Sequence, residues 1–266
     1  MKTKILIPYG FGLNCEDETR YAFELAGANV DKVHLKQLFE RPKLLLEYHL
    51  LALVGGFSFG DHISAGKVLG NLYRLRLGES IKNFLCDGKL IFGECNGFQA
   101  MVKSAILPWS EGDKTEQTVT LMSNDSGVFE DRWVNLRINP RSRCVFTAGI
   151  KSMYLPVRHG EGKFFPANQS VLKKIEENNQ IVMQYVDDNN VPTMQHPFNP
   201  NGSIESVAGL CDLTGRVFGL MPHPTAFLNM CNHPRYHRMT SFEKRELPQG
   251  ISIFKNAVQY IEENFR

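Results

Sequence analysis

A chain of 266 residues with 42% hydrophobic content can bury a substantial core. Its net charge of +2 comes from basic and acidic residues mixed along the chain, which argues against a nucleic-acid-binding face; the run from Arg137 to Arg143 reads as a solvated turn. No apolar run approaches a membrane span, no signal-peptide pattern opens the chain, and six cysteines are scattered without metal-ligand spacing. The expectation is a cytoplasmic protein with mostly buried, inert thiols and no bound metal.

In chain order, Ile5 to Pro8 reads as a first buried strand and Glu16 to Gly27 as an amphipathic helix stopped by its glycine. Strands follow at Val30 to Leu35 and at His49 to Val54, the latter running into Gly55-Gly56-Phe57-Ser58-Phe59-Gly60-Asp61. A long helix is predicted from Ser64 to Leu85. The short apolar run Leu90-Ile91-Phe92 then reads as a strand, with Gly93, Cys95 and Gly97 behind it and a helix starting near Phe98. Strands alternating with helices predict a mainly parallel sheet covered on both faces, with ligands beyond the carboxyl ends of the strands. The Gly55 loop and Cys95 fall at that edge together.

From about Gln117 the pattern turns to strands in succession: Thr118 to Met122, Phe129 to Ile138, Cys144 to Ala148, Met153 to Val157, Ile181 to Val186, Ser206 to Leu213 and Val217 to Met221. Helices return at Asn168 to Glu177 and Ile251 to Glu263. The irregular, polar stretch from Phe227 to Gly250 is either a surface excursion or an interface. No linker divides the chain, so residues 1 to 266 are expected to form one domain.

A sharp strand-to-helix turn lifts one side chain clear of a sheet, and here that side chain is a cysteine. A helix N-terminus favours a thiolate, so Cys95 is a candidate nucleophile on an elbow whose glycines leave room for a substrate. Such a nucleophile needs a base and donors for an oxyanion. Of eight histidines, His159 ends a strand beside two glycines, and His223 follows Val217 to Met221, held between Pro222 and Pro224. A rigid strand-end histidine is the better base. A backbone N–H of the Gly55 loop and that of Asn96 could serve the oxyanion.

The segments Gly12-Leu13-Asn14-Cys15-Glu16, Gly55 to Asp61, Gly93-Glu94-Cys95-Asn96-Gly97-Phe98-Gln99, Leu155 to Phe164, Asn199 to Ser203 and Gly219 to Pro224 together resemble the class I (triad-type) glutamine amidotransferases. The branch they resemble is that of the glutaminase subunits of phosphoribosylformylglycinamidine synthase. The resemblance implies a flavodoxin-like α/β fold, a mainly parallel central sheet with additional antiparallel strands, and hydrolysis of glutamine through a thioester on Cys95. His223 would be the base and then the acid, and the N–H groups of Gly56 and Asn96 would bind the oxyanion. Phe57, Ser58, Gln99, His159, Gly160 and Glu161 would line the glutamine site. Ammonia would pass to a large synthetase subunit carrying ATP and Mg, with a small accessory subunit in the complex; no cofactor is expected on this chain.

One position departs from the pattern. The family carries Glu two residues after the histidine, and here that residue is Thr225. A threonine can accept an Nδ1–H bond but cannot balance an imidazolium, so activity is expected to persist, slowed, unless Glu161 or another carboxylate takes the place. The rival expectations are a scaffold subunit whose site has decayed and a cysteine hydrolase acting on other amides.

Overall fold

The computed structural model describes residues 2–108 and 116–265. The first half runs β1 (Lys4–Tyr9), α1 (Glu16–Leu25), β2 (Asn29–His34), α2 (Leu35–Glu40), β3 (Leu50–Leu53), α3 (Lys67–Leu72), α4 (Gly78–Cys86), β4 (Leu90–Glu94) and α5 (Asn96–Lys103). The second half runs β5 (Val119–Ser123), β6 (Glu130–Ile138), β7 (Ser152–His159), β8 (Glu161–Pro166), α6 (Gln169–Glu177), β9 (Ile181–Tyr185), β10 (Val207–Cys211), β11 (Val217–Leu220) and α7 (Ile251–Asn264). Nine strands form one sheet in the order β2-β1-β3-β4-β11-β10-β9-β6-β7, and β5 pairs with β8 in a second, two-stranded sheet. The pairs from β2 through β11 are parallel, and those from β11 through β7 are antiparallel.

The short central strands are buried on both faces, as continuous apolar runs in a covered parallel sheet must be. On one face Phe92 and Phe218 meet Phe23 of α1, Phe254 of α7 and Phe146, an aromatic cluster with ring centroids 4.9 to 6.3 Å apart. Strand alternation turns Gly93 to the opposite face, where α5 packs. A Cβ on Gly93 would overlap Met101 Sδ, and one on Gly97 would overlap the Leu53 carbonyl of β3. These glycines therefore make room for α5 against the sheet, not for a substrate.

Several sequence expectations need correction. The helix expected from Ser64 to Leu85 is α3 and α4 joined by a π-helical turn over Tyr73–Leu77. The strand expected at Cys144 to Ala148 is a 3-10 turn at Val145–Thr147, where Phe146 plugs the aromatic cluster. The sequence pattern gives no signal for helix α2 or strand β8: α2 has only six residues, and a single residue separates β8 from β7. Three of the six cysteines are buried, not most of them. Residues 227–250 form 3-10 turns at Met230–Asn232, Tyr236–Arg238 and Glu243–Arg245, with the His233 ring set against Trp133, Tyr154 and Phe227. Among the described residues no helix is long and apolar enough to cross a membrane.

Candidate active site

Register builds the site. In the parallel β4/β11 pair, Gly93 faces Gly219 and Glu94 faces Leu220, and the Cys95 N–H donates to the Leu220 carbonyl at 2.9 Å. His223 lies three residues past Leu220 and so arrives beside the elbow. In the parallel β3/β4 pair Leu53 faces Gly93, which brings Gly55 and Gly56 to the same edge. Strand β7 supports the histidine from the far side: Val157 bridges Pro222, and the His223 N–H donates to the Pro156 carbonyl at 2.8 Å.

Cys95 carries the strain expected of an elbow. Its φ of 51° and ψ of −108° lie where a side chain is rarely tolerated, a cost of about 1–3 kcal/mol that the surrounding packing must offset. It caps the N-terminus of α5, and its sulfur lies 3.7 Å from the Arg158 carbonyl oxygen.

His223 is buried, and its two ring nitrogens have different surroundings. Nδ1 lies 3.2 Å from Glu94 Oε1, whereas Nε2 has no hydrogen-bond partner from a nitrogen or oxygen among the described residues. Burial opposes charge on the ring, but its interactions with Cys95 and Glu94 outweigh that and raise the ring pKa to about 10. The carboxylate beside the ring is thus Glu94, the residue immediately before the nucleophile. Glu161 does not take that place: its carboxylate accepts the Ala65 N–H at 3.1 Å. Thr225 is bonded to that carboxylate: its hydroxyl donates to Glu94 Oε1 at 2.5 Å, and its N–H to Oε2 at 3.3 Å. The sequence contained a signal for Glu94, a carboxylate in an otherwise apolar buried strand.

Cys15, at the start of α1, completes this end of the site. Burial and the neighbouring charge of Glu94 push its thiol far above the usual range. The Cys15 sulfur, the Glu94 carboxylate and His223 lie within 4.8 Å of one another, a spacing a metal ion could bridge; Glu94 is already bonded to Nδ1 and to Thr225.

The remaining candidates fall into two groups. Asn96 ties the Gly55 loop to the elbow: its Oδ1 accepts the Ser58 N–H at 3.2 Å, and its Nδ2 donates to Asp61 Oδ1 at 3.2 Å and to Gln99 Oε1 at 2.9 Å. Gln99 in turn donates to the Glu161 carbonyl, joining α5 to β8. Gly56 bridges Leu13, Phe57 is 51% exposed at the loop's outer side, and Ser58 is buried with its hydroxyl unpartnered among the described residues. Gly160 joins β7 to β8, and its carbonyl accepts the Asn124 N–H at 2.9 Å.

His159 belongs to the second group. It is buried, with Nδ1 3.1 Å from Asn124 Oδ1 and Nε2 3.5 Å from Asn201 Nδ2, and burial followed by the nearby His223 lowers its pKa to about 3. A neutral ring with both nitrogens beside amide side chains braces the corner between β7 and β8. The Asn199 to Ser203 segment braces the same corner, with Asn201 donating to the Gly162 carbonyl and the Ser203 hydroxyl accepting the Phe164 N–H.

Comparison with known proteins shows the family. Residues 2–261 match the CobB/CobQ-like glutamine amidotransferase domain. Phosphoribosylformylglycinamidine synthase subunit PurQ of Dehalococcoides mccartyi is 44% identical over 97% of this chain and 98% of its own, and that of Treponema denticola is 34% identical over 98% and 100%. A solved structure described as PurLQS from Thermotoga maritima superposes with a TM-score of 0.70 at 25% identity, covering 98% of this chain and 100% of the matched one. A strained cysteine, a strand-end histidine and full-length similarity point the same way: the chain belongs to the PurQ family of glutamine amidotransferases, the glutaminase subunits of phosphoribosylformylglycinamidine synthase.

Proposed function

We propose that this chain hydrolyses glutamine on Cys95 and passes the ammonia to an ATP-dependent synthetase that makes formylglycinamidine ribonucleotide in purine biosynthesis. The observation that carries the reading is the meeting of Cys95 and His223 at the carboxyl edge of the sheet, with the Glu94 carboxylate at the ring's Nδ1. The Cys95 sulfur attacks the amide carbon of glutamine, and His223 Nε2 gives a proton to the nitrogen as the C–N bond breaks and ammonia leaves. Water then attacks the thioester and returns a proton to His223; glutamate departs and the thiol is regenerated. The N–H groups of Gly56 and Asn96 are assigned to the oxyanion, and the loop from Gly56 to Ser58, with Gln99 and the Gly160-Glu161 backbone, to holding glutamine.

The partners are the large synthetase subunit and a small accessory subunit, as the name of the Thermotoga maritima assembly suggests. ATP and Mg are assigned to the synthetase, and the complex to the cytoplasm. The scaffold reading loses its ground because a buried carboxylate stands at Nδ1 although residue 225 is not an acid. Incubation with a diazo-ketone analogue of glutamine, followed by peptide mass spectrometry, tests the assignment. An adduct on Cys95, absent from Cys95→Ser and suppressed by excess glutamine, is expected; no labelling, alone or with the synthetase present, would refute it.

A further inference from the structure

Glu94 is fully buried, and a carboxylate without water is stable only when paired and hydrogen-bonded. Its partners are the Nδ1 edge of His223 and both donors of Thr225. It stands on the face of β4 that Phe92 also occupies, toward α1, where the Cys15 thiol lies. Residue 225, the usual place of the family's acid, here supplies a hydroxyl and an N–H to a carboxylate from another strand. A glutamate at 225 would set two carboxylates against each other in a dry site, so threonine is the complementary choice.

We infer that Glu94 is the positioning acid of the active site, a Cys95–His223–Glu94 relay in which the carboxylate comes from the strand bearing the nucleophile, and Thr225 orients that carboxylate. The inference rests on the glutaminase reading. Glu94 holds the Nδ1–H tautomer, aims Nε2 at the thiol and balances the imidazolium, the work an acid does in a Ser-His-Asp site. The groups facing the ring are Cys95 and Glu94, with His159 at the end of β7 and Cys15 at the start of α1, the latter also feeling Arg158.

The test uses the chain in complex with its synthetase, comparing wild type with Glu94→Gln, Thr225→Val and the double variant Glu94→Gln/Thr225→Glu. Glu94→Gln is expected to lower kcat by roughly 10²- to 10⁴-fold with KM for glutamine within about threefold of wild type. The rate of Cys95 alkylation by iodoacetamide should also change its pH dependence in Glu94→Gln, a shift that a purely structural role would not produce. Thr225→Val, which keeps the shape and removes one donor, should cost about three- to tenfold and remains informative should Glu94→Gln not fold. The double variant restores an acid at the family's position and should recover at least about tenfold over Glu94→Gln. Folded Glu94→Gln with kcat within about threefold of wild type and an unchanged alkylation profile overturns the inference. A wild-type complex that fails to hydrolyse glutamine, while the alkylation profile still shifts in Glu94→Gln, overturns the glutaminase reading and leaves the relay standing.

Discussion

The two buried histidines respond to pH in opposite senses. His223 is held charged, with a pKa raised to about 10, so the stability it contributes is complete below about pH 6.5 and is lost as pH rises through 10. His159 is held neutral, with a pKa lowered to about 3. The unfolded chain takes up a proton near pH 6.5 that the folded chain refuses, so stability linked to His159 is lost on acidification from 6.5 toward 3. A His159→Gln variant should therefore be less stable than wild type at pH 7, with the gap narrowing by about 2 kcal/mol at pH 4.5. Urea unfolding at the two pH values measures this; a gap that stays constant would mean that the ring is not buried neutral.

At the scale of elements, the loop after β3 depends on α5 for its shape. Phe59, Asp61 and Ile63 all have positive φ between 53° and 73°, conformations that side chains adopt only when held. What holds them includes Asn96, which reaches Ser58 and Asp61 from the first turn of α5. An Asn96→Ala variant should keep its fold, since the truncated bonds cost about 1–3 kcal/mol, yet raise KM for glutamine and speed hydrogen exchange across residues 56–66. Exchange equal to wild type in that segment would show that Asn96 does not support the loop. The corner between β7 and β8 is the contrasting case. Its Asn124, His159 and Asn201 bonds are buried and redundant, which suits a brace that must not move.

For the whole molecule, the proposed chemistry depends on three strand ends meeting at one edge. β3 brings the glycine loop, β4 Cys95 with Glu94, and β11 His223, while β7 of the antiparallel half steadies the histidine. The loop that should receive glutamine is also outward-facing, with Ile63 87% exposed. A glutaminase running without its partner would waste glutamine, so docking of the synthetase is expected to order this loop and complete the site. Glutamine turnover should rise at least about tenfold when the ATP-dependent subunit is added, with Cys95→Ser as the blank; an equal rate alone and in complex would dismiss this gating.

Read alone, the residues determine the alternating architecture, the elbow at Cys95 and the histidine between two prolines, because short apolar strands, spaced glycines and flanking prolines act over a few neighbouring residues. The chain also shows that residue 225 is not an acid. It could not say which carboxylate stands in, nor that His159 and Asn201 brace a corner, nor that Gly93 and Gly97 accommodate α5. Those outcomes belong to pairs separated by tens of residues, such as Glu94 with Thr225 and Gly97 with Leu53. Only the strand register and the face each side chain takes decide which of them meet.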